Sequence, residues 1–239
     1  MDFTSILFIV VGAVIIYFAA KFLAHGVKLA VKLLVLSILV LAFLSFMVYK
    51  DVEDLKEGFQ NYNNTFFIYN NETLHAGVVL KPLDSLILTT DSFSFFSEEE
   101  MEALAKDFQE GNYKGMMGNS HKLFFFNPSV LQKPFKQDIG VELDEDDMLN
   151  IIKSDEPFDV LARKVRPEQD ETSGMVVATL KELYGSEQKL KGVLFAALIG
   201  NYFQQQKPGE LVKNIKSKEL MVYPEGISFK IIRYMPWID

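Results

Sequence analysis

No cysteine occurs among the 239 residues. That absence excludes disulfides, thiolate metal sites, iron–sulfur clusters and cysteine nucleophiles together. It leaves the redox compartment open, because a domain with a sufficient core needs no bridges. Histidine is scarce, with three residues, and tryptophan occurs once. Also missing are H-E-x-x-H, G-x-S-x-G, a P-loop and a Rossmann glycine pattern. Charge is absent from two long stretches, Phe3–Ala20 and Leu33–Tyr49.

Those two uncharged runs dominate the chain. At ~1.5 Å per residue each helix would cross most of a ~30 Å hydrocarbon core. Between them lies Lys21–Lys32, in which Lys21, His25, Lys28 and Lys32 recur at helical spacing on one face. Phe22, Leu23, Val27, Leu29 and Val31 lie opposite. The pattern predicts a transmembrane helical hairpin over residues 1–57, with spans at about 3–20 and 33–49. The four basic side chains then touch the membrane surface. A continuous helix from Phe3 to Tyr49 is the alternative; it would carry lysines into the bilayer, where each costs ~2.5–3.5 kcal/mol. A cleaved signal peptide fits less well, since Asp2 precedes the first run and the basic residues follow it.

Lysines cluster in the linker and are absent before the first span. The positive-inside rule therefore places the linker in the cytoplasm and the remainder of the chain outside it. That remainder is acidic: beyond residue 50 there are 20 basic and 31 acidic residues, a formal charge of −11. Such a balance is repelled by phosphate backbones, so nucleic acid is not an expected partner. The expected partners are the lipid bilayer and a membrane-protein or extracytoplasmic protein. Two N-x-[ST] sequons, at Asn63 and Asn71, are candidate glycosylation acceptors in an exported domain.

Residues 58–239 read as one α+β domain with a mixed, largely antiparallel sheet. The helix leaving the bilayer is expected to stop near Gly58. Thr65–Tyr69 and Thr73–Leu80 flank a tip at Asn71 and predict a hairpin. Leu86–Thr90 predicts a short strand, and Ser92–Phe96 an edge. Ser97-Glu98-Glu99-Glu100 predicts a capping box for a helix to about Glu110, ended by Gly111. Asn112–Ser120 reads as a loop, His121–Phe126 as a strand and Asn127–Gly140 as irregular. Asp144 predicts an N-cap for Glu145–Lys153, with Pro157 as a stop. Arg163–Ser173 reads as a loop, Gly174–Tyr184 and Glu187–Gln205 as helices, and Pro208–Lys216 as a shorter one. Gly192–Phe203 is apolar nearly all round but short for a span, so a buried core helix is expected, with a third membrane segment as the alternative. The chain closes in a predicted hairpin, Glu219–Tyr223 with Ile227–Tyr234, about a type I turn at Tyr223–Gly226.

Chemistry is thinly signalled. His75 and His121 stand in separate predicted strands with no ligand spacing, and no metal or other cofactor is expected. Asp144–Asp147 lacks the alternating ligands and glycine of an EF-hand loop. The phenylalanines Phe93, Phe95, Phe96, Phe124, Phe125 and Phe126 predict either core or a contact face. Where both faces of a strand are aromatic, one is expected to meet something other than the main core. The leading expectation is a membrane-anchored, non-enzymatic interaction or assembly subunit that presents its acidic domain outside the cytoplasm. A membrane-tethered ligand-binding or sensor domain is the first alternative, and a hydrolase-like enzyme without a recognisable motif the second.

Overall fold

A computed structural model describes residues 57–82, 92–138, 141–166, 173–205, 207–226 and 229–230, with Lys21, Lys32, 34–39, Phe43, 46–47, 50–51 and Asp54 before them. The chain divides into two compact units, Met1–Lys50 and Asp51–Asp239. In the first unit the described residues are helical, and Leu34, Val35, Leu36, Ile38, Leu39, Phe43 and Phe46 are all more than half exposed. Among the described residues no helix is long and apolar enough to cross a membrane. The two spans, their hairpin and the single-helix alternative lie largely outside those residues.

The second unit is an α+β domain built on a five-stranded mixed sheet. In chain order the strands are β1 (Asn64–Asn70), β2 (Thr73–Leu80), β3 (Phe93–Phe95), β4 (Lys122–Phe126) and, last of all, β7 (Leu220–Tyr223). They lie in the order β3-β2-β1-β4-β7. The β1–β4 pair is parallel, and the other three pairs are antiparallel. A second, two-stranded sheet pairs β5 (Lys136–Asp138) with β6 (Glu142–Asp144).

Helices cover both faces of the large sheet. On one, Phe67, Leu74, Leu123 and Phe125 meet Met101 and Phe108 of α1 (Glu98–Gln109) and Met116 of α2 (Tyr113–Met116). The capping box starts α1 as its sequence predicts: Ser97 N–H donates to Glu100 Oε2 at 2.8 Å, and Glu100 N–H donates to Ser97 Oγ at 3.2 Å. On the other face, Phe66 and Phe126 meet Phe195, Tyr202 and Phe203 of α6 (Glu187–Gln205) at ring separations of 5.2–6.5 Å. Four elements complete this side: α3 (Glu145–Lys153), α4 (Pro157–Val165), α5 (Ser173–Tyr184) and α7 (Pro208–Lys216). Asp144 caps α3 by accepting from Asp147 N–H at 2.8 Å. The apolar stretch of α6 is the core helix of this domain, with Leu190, Leu194, Phe195, Leu198, Ile199 and Tyr202 all buried.

Several sequence expectations are corrected. The strand phenylalanines leave no surplus aromatic face. Phe124, Phe125 and Phe126 are at most 3% exposed, because the domain's own helices cover both sides of β4. Pro157 starts a helix instead of stopping one, since at N1 its missing N–H removes no helical hydrogen bond. Arg163–Val165 accordingly belong to α4. Residues 57–61 stay helical past Gly58, and Asn64 Nδ2 donates to the Gly58 and Tyr62 carbonyls at that helix end, both at 3.0 Å. Within Asn112–Ser120 a short helix forms, capped by Asn112. Asn127–Gly140 holds a 3-10 turn, Pro128–Leu131, and β5. The closing hairpin does not form as predicted: β7 pairs with β4, the Tyr223–Pro224 peptide is cis, and Phe229 and Lys230 are helical. Leu86–Thr90 lies outside the described residues.

Candidate functional site

Two polar clusters sit on the large sheet, and each holds a buried lysine. The first lies where β1 and β4 begin. Lys122 enters β4 on the same face as Phe124 and Phe126 and is 7% exposed. Its ammonium donates to Asp54 Oδ2 at 2.8 Å. That hydrogen bond, ahead of every other influence, holds the Asp54 carboxyl below the usual carboxylate range. His121 Nε2 is buried without a hydrogen-bond partner, 3.6 Å from Asp54 Oδ1. Its ring stacks on Tyr62 at 5.0 Å, and the His121 backbone N–H donates to the Asn63 carbonyl at 2.7 Å.

Gly58 makes this approach possible, since a Cβ there would come within 2.8 Å of the His121 ring. Beside it Phe59 stacks on Phe66 and Phe124. The lysine and the carboxylate are thus paired with each other. This cluster fastens the helix of residues 57–61 to the sheet.

The second cluster is built on a break in the β1–β2 ladder. Ile68 pairs with Ala76 and Tyr69 with Leu74, so His75 is the extra residue of a β-bulge. Leu74 joins the core under α1, while His75 is half-buried and feels charges from the α3–α6 side. Burial pushes its imidazole pKa down, and the cations Lys191 and Lys153 push the same way, against Asp155.

Lys191 stands at i−3, i−4, i−7 and i−11 from Leu194, Phe195, Leu198 and Tyr202, on the buried stripe of α6. It is 8% exposed. Close packing puts it there: a Cβ on the adjacent Gly192 would lie 2.6 Å from the Phe95 ring, so only glycine lets β3 come this near the helix. Desolvation lowers the Lys191 pKa, opposed by Glu187 and Asp155. No carboxylate lies within ion-pair distance of its ammonium among the described residues. One turn earlier, Gln188 Oε1 is buried without a hydrogen-bond partner.

Compared with protein-family models, curated proteins and solved structures, the chain matches none. The site is therefore read from its own residues. At the second cluster an imidazole, His75, and two lysines, Lys153 and Lys191, are the groups that can bind and exchange protons. Among the described residues no group of three or more His, Asp or Glu side chains is placed to hold a metal ion.

The sequence-predicted site residues are scattered. Lys21 and Lys32 are helical and exposed in the first unit, and His25 and Lys28 lie outside the described residues. Asn71 is exposed at the hairpin tip with φ 54°, and Asn63 is half-exposed just before β1. His75 and His121 fall in different clusters. Sequence reasoning missed Lys191, Gln188, Asp54 and Lys122. For Lys191 the signal was present, since a lysine in register with Leu194, Phe195, Leu198 and Tyr202 must be buried with them. For Asp54 and Lys122 there was none, because their pairing joins segments 68 positions apart.

Proposed function

We propose that this chain is a membrane-anchored, non-enzymatic interaction or assembly subunit, presenting its acidic domain outside the cytoplasm to a protein partner. The observation that carries the reading is α5. This helix has the sequence SGMVVATLKELY, yet Met175 is 72% and Leu183 65% exposed; Val176, Val177 and Leu180 are half-buried, and Tyr184 is buried. A domain that buries its strand phenylalanines but leaves Met175 and Leu183 of one helix uncovered has a surface suited to another protein. The membrane part of the proposal is supported by the two uncharged runs and by the exposed leucine, isoleucine and phenylalanine side chains between Leu34 and Phe46.

A photoreactive residue at Leu183 of the full chain, in its own membrane, tests the reading. A discrete adduct is expected there and not from the same residue at the exposed Glu102 of α1. Equal, diffuse labelling from both positions overturns the proposal. In the same cells a single cysteine replacing Val52 should react with a membrane-impermeant reagent added from outside; protection until lysis would place the domain in the cytoplasm.

A second reading, a membrane-tethered ligand-binding domain, is favoured by one observation: Lys191 stands on the buried stripe of α6 with no ion-pair partner among the described residues.

A further inference from the structure

We propose that Asn71, at the tip of the β1–β2 hairpin, is an N-glycosylation site, and that Asn63, the other sequon asparagine, stays bare. The inference rests on the exported placement of the domain put forward above.

An N-linked sugar needs two side chains at once: the carboxamide that takes the sugar, and the hydroxyl two residues on that the transferase reads with it. Both must stand clear of the fold, since the attached sugar is bulky and lies in water. The two sequons of this chain meet that demand differently. Asn71, Glu72 and Thr73 are exposed in succession. β1 and β2 pair as far as Asn70 with Thr73, so Asn71 and Glu72 are the turn itself. Asn71 has φ 54°, a left-handed conformation that asparagine tolerates better than most residues. Among the described residues no hydrogen bond or ion pair engages the Asn71 carboxamide or the Thr73 hydroxyl.

The Asn63 sequon, by contrast, is built into the root of the sheet. Thr65 is buried, and its hydroxyl is hydrogen-bonded to Ser120 Oγ at 2.6 Å. Asn64, between them, is buried as well, with its Nδ2 donating to the Gly58 and Tyr62 carbonyls. The Asn63 carbonyl accepts from the His121 backbone N–H at 2.7 Å, which fixes the chain at the asparagine itself. A transferase would have to open the start of β1 to read Thr65. The Asn71 tip can be taken as it stands.

The transfer is a substitution at carbon. The Asn71 carboxamide nitrogen bonds to C1 of a sugar carried on a lipid phosphate or diphosphate. The C1–O bond to the phosphate breaks, the lipid phosphate leaves with that electron pair, and the amide gives up one proton to a base of the transferase.

The experiment takes the full chain from its own membrane and cleaves it after Phe67 or Tyr69, so that the two sequons fall on separate peptides for mass spectrometry. Added sugar mass is expected on the Asn71 peptide and not on the Asn63 peptide. Thr73→Ala should remove it without touching the asparagine, Thr73→Ser should keep it, and Asn63→Gln should leave it unchanged. Sugar on both peptides, or on the Asn63 peptide alone, overturns the assignment. If neither peptide carries sugar, the Val52→Cys probe decides what falls. Labelling from outside would mean that the domain is exported and the Asn71 assignment alone is wrong. Protection until lysis would sink the exported reading with it.

Discussion

Lys122 and Lys191 are buried to the same degree, 7% and 8% exposed, in one domain and against one sheet, yet they have opposite surroundings. Lys122 meets a carboxylate at 2.8 Å, contributed by a residue 68 positions earlier. Lys191 has no ion-pair partner among the described residues, and Glu187 and Asp155 act on it only from a distance. A buried charge with a partner is explained by the fold it holds together. A lysine whose stem is buried without an ion-pair partner gains only from the packing of its methylenes. Burial alone therefore does not say what holds a lysine in place; its partners do.

The largest test asks what fastens the helix of residues 57–61, the ion pair or the rings. Phe124 is 3% exposed and stacks on Phe66 at 4.9 Å and on Phe59 at 5.6 Å. Phe124→Ala should cost about 3–5 kcal/mol in urea unfolding. A loss no greater than that of the ion-pair variant would make the polar contact the main fastening.

Next in size is the direct contrast between the two lysines. Asp54→Ala strands a buried ammonium, but Asp54 is itself half exposed, so the loss should be only about 1–2 kcal/mol. Lys191→Met should move stability the other way, a gain of up to about 1 kcal/mol, because it removes a desolvated charge that Glu187 and Asp155 offset only from a distance. Equal losses from both variants would erase the distinction.

The smallest effects are those of pH, and they fall in different windows. The Asp54 carboxyl titrates below its ordinary 3.8 in the folded chain, so its stabilisation is full above that value and is lost as pH falls through the folded pKa. His75 is held below its ordinary 6.5. The unfolded chain therefore takes up that proton first, and stability declines from about pH 6.5 downward until the folded pKa is passed. His75→Gln should flatten the near-neutral decline and leave the acid limb, and Asp54→Asn should do the reverse. Profiles in which either variant altered the other's window would mean that the clusters are coupled.

Much of the fold was legible because its signals are local. The capping box at Ser97, the Asp144 cap, the helix-ending Gly111 with φ 70° and the hairpin at Asn71 each depend on a few adjacent residues. The failures share a different cause. Which face of β4 would be covered depended on α6, more than 60 residues later, and the partner of β7 depended on β4. Pro157 was misread because a proline both stops a helix and starts one, and only the chain around it decides. The site was less legible still. His75 gains its place from a single skipped pairing, and Lys191 from a glycine that lets Phe95 close on the helix.

The position of β1 has a mechanical consequence. It is the first strand after the helix of residues 57–61, yet it lies in the middle of the sheet, bonded to β2 on one side and to β4 on the other. A tension applied through the chain ahead of β1 would load both ladders in shear along their length, many hydrogen bonds at once. An edge strand such as β3 would instead be unzipped one bond at a time. The domain is thus joined to whatever precedes it by the strand hardest to pull out.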